Sequence, residues 1–306
     1  MEFTLKKILI LLLYCECFAG ITVNLIILAA NIMKWKTLKS LSTSDKILNC
    51  LVTSRTLLVF NISLASYLYQ FHPWIFHDIV VTAAMLTYGV ILHYTDLWFA
   101  TVLCVFYCVK ITSYSWKFFI FLKTKISTLV PWFLLGSLIA SIFSSLPYGF
   151  NFYDMKHQDL SNVSSKPMIF YRAGTIQNFY NQALITLLGS CPPFIIFLLA
   201  IFLLLHSLLM HTRRMRSSEY GFHTPNLKGH FSAVRSMSVF LVLQIIHFIF
   251  INLLFFGILY DVGVFYWLNL IITCALPFLH SLYMICFCGE IKKTITSLCR
   301  ALSTCE

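Results

Sequence analysis

One charged residue constrains this chain more than any other. Arg55 sits inside the hydrophobic run 47–69, which contains no other formal charge. In a helix, its separation from Lys46 at the polar edge of that run is about 13 Å. That is nearly half of a roughly 30 Å hydrocarbon core. A charge at such depth costs at least ~2.5 kcal/mol on the most lenient insertion scale, so it must face protein rather than lipid. A bundle of helices therefore has to surround Arg55.

The rest of the chain supplies that bundle. Only 11% of the 306 residues are charged and 59% are hydrophobic, whereas a soluble domain carries about 25% charged residues. Seven apolar segments, 8–31, 45–69, 85–112, 128–149, 181–210, 235–260 and 265–287, are each long enough to span a bilayer as a helix. Pro192-Pro193 in the fifth and Pro277 in the seventh predict kinks. Met1–Leu13 resembles a signal peptide, but its apolar stretch continues to Ala30 without a small-residue cleavage site, so it reads as a retained first helix. The expected fold is an all-α membrane protein, a single seven-transmembrane helix bundle over 1–306 with a short tail at 288–306.

Lysine and arginine set the orientation. One series of alternate loops and helix ends carries Lys34, Lys36, Lys39, Lys46, Lys110, Lys117, Lys123, Lys125, Arg213, Arg214, Arg216, Lys228, Arg235, Lys292, Lys293 and Arg300. The other side carries Lys6, Lys7, Lys156, Lys166 and Arg172. This split predicts an extracellular N-terminus and a cytoplasmic C-terminus. It also explains the net charge of +11 as cytoplasmic loop charge, without a nucleic-acid partner. The sequon Asn162-Val163-Ser164 then falls in an outside loop, 150–180, and makes Asn162 a glycosylation candidate. The sequon at Asn61 lies within the second helix. The eleven cysteines show neither a closely spaced loop pair nor a zinc-like spacing, and most read as small buried hydrophobes. No metal, cofactor or catalytic constellation is expected.

The usual marks of rhodopsin-class receptors are missing: no Asp-Arg-Tyr ends the third helix, and the seventh reads Pro277-Phe278-Leu279-His280-Ser281. Other strings run along nearly the whole chain in order. They include Gly20-Ile21-Thr22-Val23-Asn24, then Leu41-Ser42, Asp45, Ile47-Leu48 and Ser54-Arg55. Trp98-Phe99-Ala100-Thr101, Phe106-Tyr107, Lys110-Ile111 and Leu122-Lys123 follow. The last are Pro193-Phe194, His211-Thr212-Arg213-Arg214-Met215, His230, Phe240-Leu241 and His280-Ser281. In these the chain resembles the type 2 taste receptors, the bitter receptor family. It departs from the family at Arg235, Val239, Gln244, Cys288 and Glu290.

The resemblance implies a chemosensory G-protein-coupled receptor in the plasma membrane. Its partners would be a bitter small molecule, a gustducin-type heterotrimeric G protein and membrane lipids. Arg55 is expected to form a polar hub with Asn24 and Ser281, with His280 nearby. Trp98, Thr101, Val102, Gln244, His247 and Leu270 are the candidate ligand contacts. Tyr107, Lys110, Lys123, His211, Arg214 and His230 are candidates for the face that meets the G protein. Asp96 and His93 are placed at the outer end of the third helix, where Asp96 reads as a solvated charge or a lure for cationic ligands. Cys286, Cys288 and Cys299 are candidate palmitoylation sites. Two alternatives stay open. One is a vomeronasal type 1-like pheromone receptor; the other is a small secondary transporter, for which Glu16 is the main embedded acid.

Overall fold

The computed structural model describes residues 2–112, 117–162, 168–218, 226–256 and 263–287. Seven helices run through them: α1 (Glu2–Leu38), α2 (Thr43–Phe71), α3 (Ile79–Ile111), α4 (Lys117–Asn162), α5 (Met168–Ser218), α6 (Asn226–Phe256) and α7 (Val264–Phe287). All seven are long and apolar enough to cross a membrane, and no strand occurs among the described residues. The architecture is a seven-transmembrane bundle.

Several helices run well past the apolar runs that announce them. α4 and α5 take in most of the segment 150–180 that reads as a loop. A helix satisfies its own backbone, so it has no reason to stop at the edge of the hydrocarbon unless a breaker intervenes. Pro131, Pro147, Pro192, Pro193 and Pro277 all lie inside helices. Starts are better marked. α2 begins with a capping box in which Ser42 Oγ accepts from the Asp45 amide and the Asp45 carboxylate accepts from the Ser42 amide, satisfying two amides that a helix start leaves open. Asp45 also pairs with Lys34 of α1 at 2.8 Å. A 3-10 turn, Pro73–His77, leads to Asp78, whose Oδ1 accepts from the amides of Val80 and Val81 and so starts α3.

α3 is the central strut: 83% of an 18-residue apolar stretch within it is buried, against 22% for such a stretch of α4. It packs closely on α5. Tyr94 is fully buried, its hydroxyl donates to the Thr186 carbonyl at 3.1 Å, and its ring lies against Gly189, where a Cβ would meet it at 2.4 Å. Two main apolar clusters fill the bundle. One gathers Leu51, Phe106, Phe197, Ile201, Leu204 and Phe240 toward the end that carries Lys110. The other gathers Leu13, Leu58, Val90, Tyr94, Ile251 and Trp267 toward the opposite end. Between them, on α2, α3, α6 and α7, lies a belt of buried polar side chains.

Candidate functional site

The belt is built around Arg55, which is 2% exposed. On α2, Arg55 falls between Leu51 of one apolar cluster and Leu58 of the other, one helical turn from each. Its Nε donates to Asp96 Oδ1 of α3 at 3.0 Å, its Nη1 to His280 Nδ1 of α7 at 2.6 Å, and its Nη2 to Gln244 Oε1 of α6 at 3.4 Å. The guanidinium thus ties four helices through one planar fork of donors. Arginine has donors only, so Nδ1 of His280 must be the acceptor and the ring proton sits on Nε2. The Phe240 ring lies against His280 at 4.5 Å and closes the belt on the Lys110 side.

Two parts of the expected hub differ. Asn24 and Ser281 are both buried at 1%, but among the described residues neither Asn24 Oδ1 nor Ser281 Oγ has a hydrogen-bond partner. The charge is met by Asp96 instead, which is fully buried and is neither a solvated charge nor at the mouth of the bundle. The cause is the length of α3. The helix begins at Ile79 rather than Met85, so Asp96 lies about 27 Å along it from Asp78. Asp96 is therefore a second embedded acid beside Glu16. Its charge is already matched by Arg55, which weakens the case for a free coupling-ion carboxylate.

Above the ion pair, on the side away from Lys110, the belt continues into His247 and His93. His247 Nε2 lies 3.9 Å from Asp96 Oδ2. His93 is fully buried and stacks on Phe255 of α6 at 5.6 Å. Phe255 in turn lines a small cavity of about 50 Å³ with Asn61, Ser66, Gly89, Tyr266 and Leu270. One stack therefore separates this cavity from the charged belt.

The six candidate ligand contacts are not brought together. Gln244 and His247 belong to the belt, and Leu270 to the small cavity. Trp98, Thr101 and Val102 line a different cavity of about 310 Å³ between α3, α4 and α5. α3 is apolar over most of its surface, so the facing of Trp98, Thr101 and Val102 does not follow from its pattern alone. Conversely, Phe255 and Gly89 are not singled out by the chain alone, and Asp96 is there given a role at the mouth rather than as the partner of Arg55. The spacing Gly89–His93–Asp96, near one turn each, was the available signal.

At the other end, Lys110 is exposed with its Nζ 5.4 Å from the Phe106 ring centre. Lys123 Nζ donates to the Thr112 carbonyl at 2.9 Å and so caps the C-terminus of α3, where a cation is favoured by the helix dipole. Tyr107 is half-buried. The side chains of His211, Arg214, His230 and Asn162, and all of Cys288 and Cys299, lie outside the described residues. Among the described residues, no group of three or more His, Cys, Asp or Glu side chains is arranged to hold a metal ion.

The taste receptor protein (TAS2R) family model matches residues 1–303. Taste receptor type 2 member 9 of Macaca mulatta is 31% identical over 251 residues, covering 81% of this chain and 78% of that protein. The Homo sapiens member 9 is 27% identical over 98% of this chain and 96% of its own length. Homo sapiens member 2 is 31% identical over 78% of each.

Proposed function

The chain belongs to the taste receptor type 2 family and is a multi-pass plasma-membrane chemosensory receptor, and from that premise we propose that its ligands are bitter small molecules and that it activates a gustducin-type heterotrimeric G protein. The observation that carries this reading is the family match along 1–303. The lysine and arginine split supports an extracellular N-terminus, with the Lys110 end of the bundle in the cytoplasm. Asn162 then lies on the outside as a glycosylation acceptor, which an enzymatic deglycosylation shift on a gel tests.

The geometry supports a route for the signal. The ligand enters at the end opposite Lys110 and bears on the cavity beside Gly89 and Leu270, which at about 50 Å³ has to widen to admit it. It bears on Phe255, which is stacked on His93. His247, 3.9 Å from Asp96, then meets the belt that holds Arg55 against Asp96, His280 and Gln244. A ligand that binds one arrangement of this stack better than another shifts the population of the bundle. Arg55 and His280 act as the hub, with Asn24 and Ser281 as buried polar neighbours on α1 and α7. Tyr107, Lys110, Lys123, His211, Arg214 and His230 form the face that meets the G protein.

The test is ligand-evoked calcium release in cells that carry a promiscuous G protein, screened with a panel of bitter compounds. A compound-specific response, followed by nucleotide exchange on purified gustducin, supports the reading. Surface-expressed receptor that answers no compound, or that takes up substrate without a calcium signal, overturns it.

A further inference from the structure

The cavity between α3, α4 and α5 has no part in the route above, and its position says what it can hold. It is lined by Trp98 and Val105 of α3, Trp132, Gly136 and Ala140 of α4, and Ile196 of α5. Gly136 lies midway along the span Phe119–Asp154, and Ile196 midway along Tyr180–Met210. The opening is therefore near the middle of the hydrocarbon layer, where neither water nor lipid headgroups reach. Trp132 is 66% exposed on the outer surface of the bundle, so access is sideways from the lipid.

The lining sets the chemistry. It carries no charge, and its hydroxyl protons are already committed: Thr101 Oγ donates to the carbonyls of Leu97 and Pro193, and Ser137 Oγ to that of Phe133. The occupant must be uncharged and mainly apolar, because a charge, or a polar group beyond the few that such a lining can meet, is costly in these surroundings. Size narrows it further. α4 runs antiparallel to α3, so Trp132 sits beside Val105 at one end of the slot and Trp98 beside Ala140 at the other. From Trp98 to Val105 is about 10 Å along the helix. A lipid tail that reaches the midplane extends about 15 Å and overruns the slot. A volume of about 310 Å³ is at the small end of the range for drug-sized ligands, roughly 300–1,000 Å³. The floor is open at Gly136, where a Cβ would meet nothing within 4 Å.

We propose that this slot is a second, membrane-accessed binding site for a compact, uncharged molecule with two or three fused apolar rings. The proposal rests on the membrane placement of the bundle and is independent of where the bitter ligand binds.

The full chain in phosphatidylcholine nanodiscs is labelled with photoactivated phenyldiazirine, with phenanthrene as competitor, and the labelled peptides are identified by mass spectrometry. Labelling of Gly136 and Ala140 falls at least fivefold with excess phenanthrene. Labelling of Ala140 also falls in Gly136→Phe, which fills the slot. Leu135 and Ile139, exposed beside the slot, keep their label in every case. Equal, non-competed labelling of Gly136 and Leu135 would mean simple contact with bulk lipid and overturns the site. If Gly136→Phe fails to elute as a single species, Ala140→Leu serves as the filling variant, with the same two outcomes. Signalling is not the readout, so failure here leaves the receptor assignment standing.

Discussion

Arg55 Nε lies 3.0 Å from Asp96 Oδ1, at the level where the two main apolar clusters of the bundle meet. Both side chains are 3% exposed or less. Two charges in that position are tolerable only together, and removing one partner from a buried pair typically costs about 3–5 kcal/mol. Asp96→Leu and Arg55→Met are each expected to destabilise the receptor by about that much, whereas the double variant recovers most of the loss. Thermal unfolding of the purified receptor, followed with a maleimide dye, measures this. The dye reacts as buried Cys17, Cys104, Cys108 and Cys274 become exposed. Additive losses in the double variant would show that the pair is not coupled.

His280 should matter to Arg55 as an acceptor rather than as a cation, since Nη1 donates to its Nδ1 at 2.6 Å. His280→Asn keeps an acceptor near that position, while His280→Leu removes it and leaves a charged donor unmet. A hydrogen bond to a charged group is worth about 1.5–3 kcal/mol. The leucine variant is expected to lose about that, and the asparagine variant less than half. Equal unfolding temperatures for the two would remove the acceptor role.

These residues show what was legible from the chain and what was not. A lone arginine in an apolar run requires a bundle, and seven apolar runs require seven helices. Both follow from the cost of charge and of open backbone in lipid, and both are in the fold. The partner of Arg55 was hidden. Asp96 reads as an outer-end charge if the third helix starts with its apolar run at Met85, whereas α3 starts at Ile79. An error of six residues moves a side chain by about 9 Å along the axis. Trp98 and Leu270 read into one pocket because α3 is apolar over most of its surface, and its few polar residues, His93 and Asp96 among them, are buried rather than marking a solvated face. Facing information of that kind exists only in the packing of helices that are distant in sequence.

Two glycines test that packing in opposite directions. A Cβ at Gly189 would lie 2.4–2.5 Å from the Tyr94 ring, whereas one at Gly136 meets nothing within 4 Å. In an open helix interior, Gly→Ala gains roughly 0.5–1 kcal/mol, while overpacking costs about 1–3 kcal/mol. Gly136→Ala is therefore expected to raise the unfolding temperature and Gly189→Ala to lower it. Tyr94→Ala should relieve Gly189→Ala. The same sign for both glycines would contradict the close approach of α3 to α5.

Lys110 and Lys123 both sit at the basic end of the bundle, but their surroundings predict different losses. Lys123 Nζ donates to the Thr112 carbonyl, so it holds the last turn of α3 whether or not a G protein is bound. Lys123→Met removes that cap and should lower the unfolding temperature. Lys123→Gln retains a donor, and so should restore most of the loss. Lys110 is exposed, its ammonium 5.4 Å from the centre of the Phe106 ring, and an exposed contact of this kind contributes about 0.5–1 kcal/mol. Lys110→Glu should barely change stability, yet it reverses the charge offered to the G protein. A charge of the wrong sign at an interface costs several kcal/mol. The calcium response should therefore shift by about tenfold or more in ligand concentration at equal surface expression. An unshifted response with a lowered unfolding temperature would assign Lys110, like Lys123, to the fold rather than to signalling.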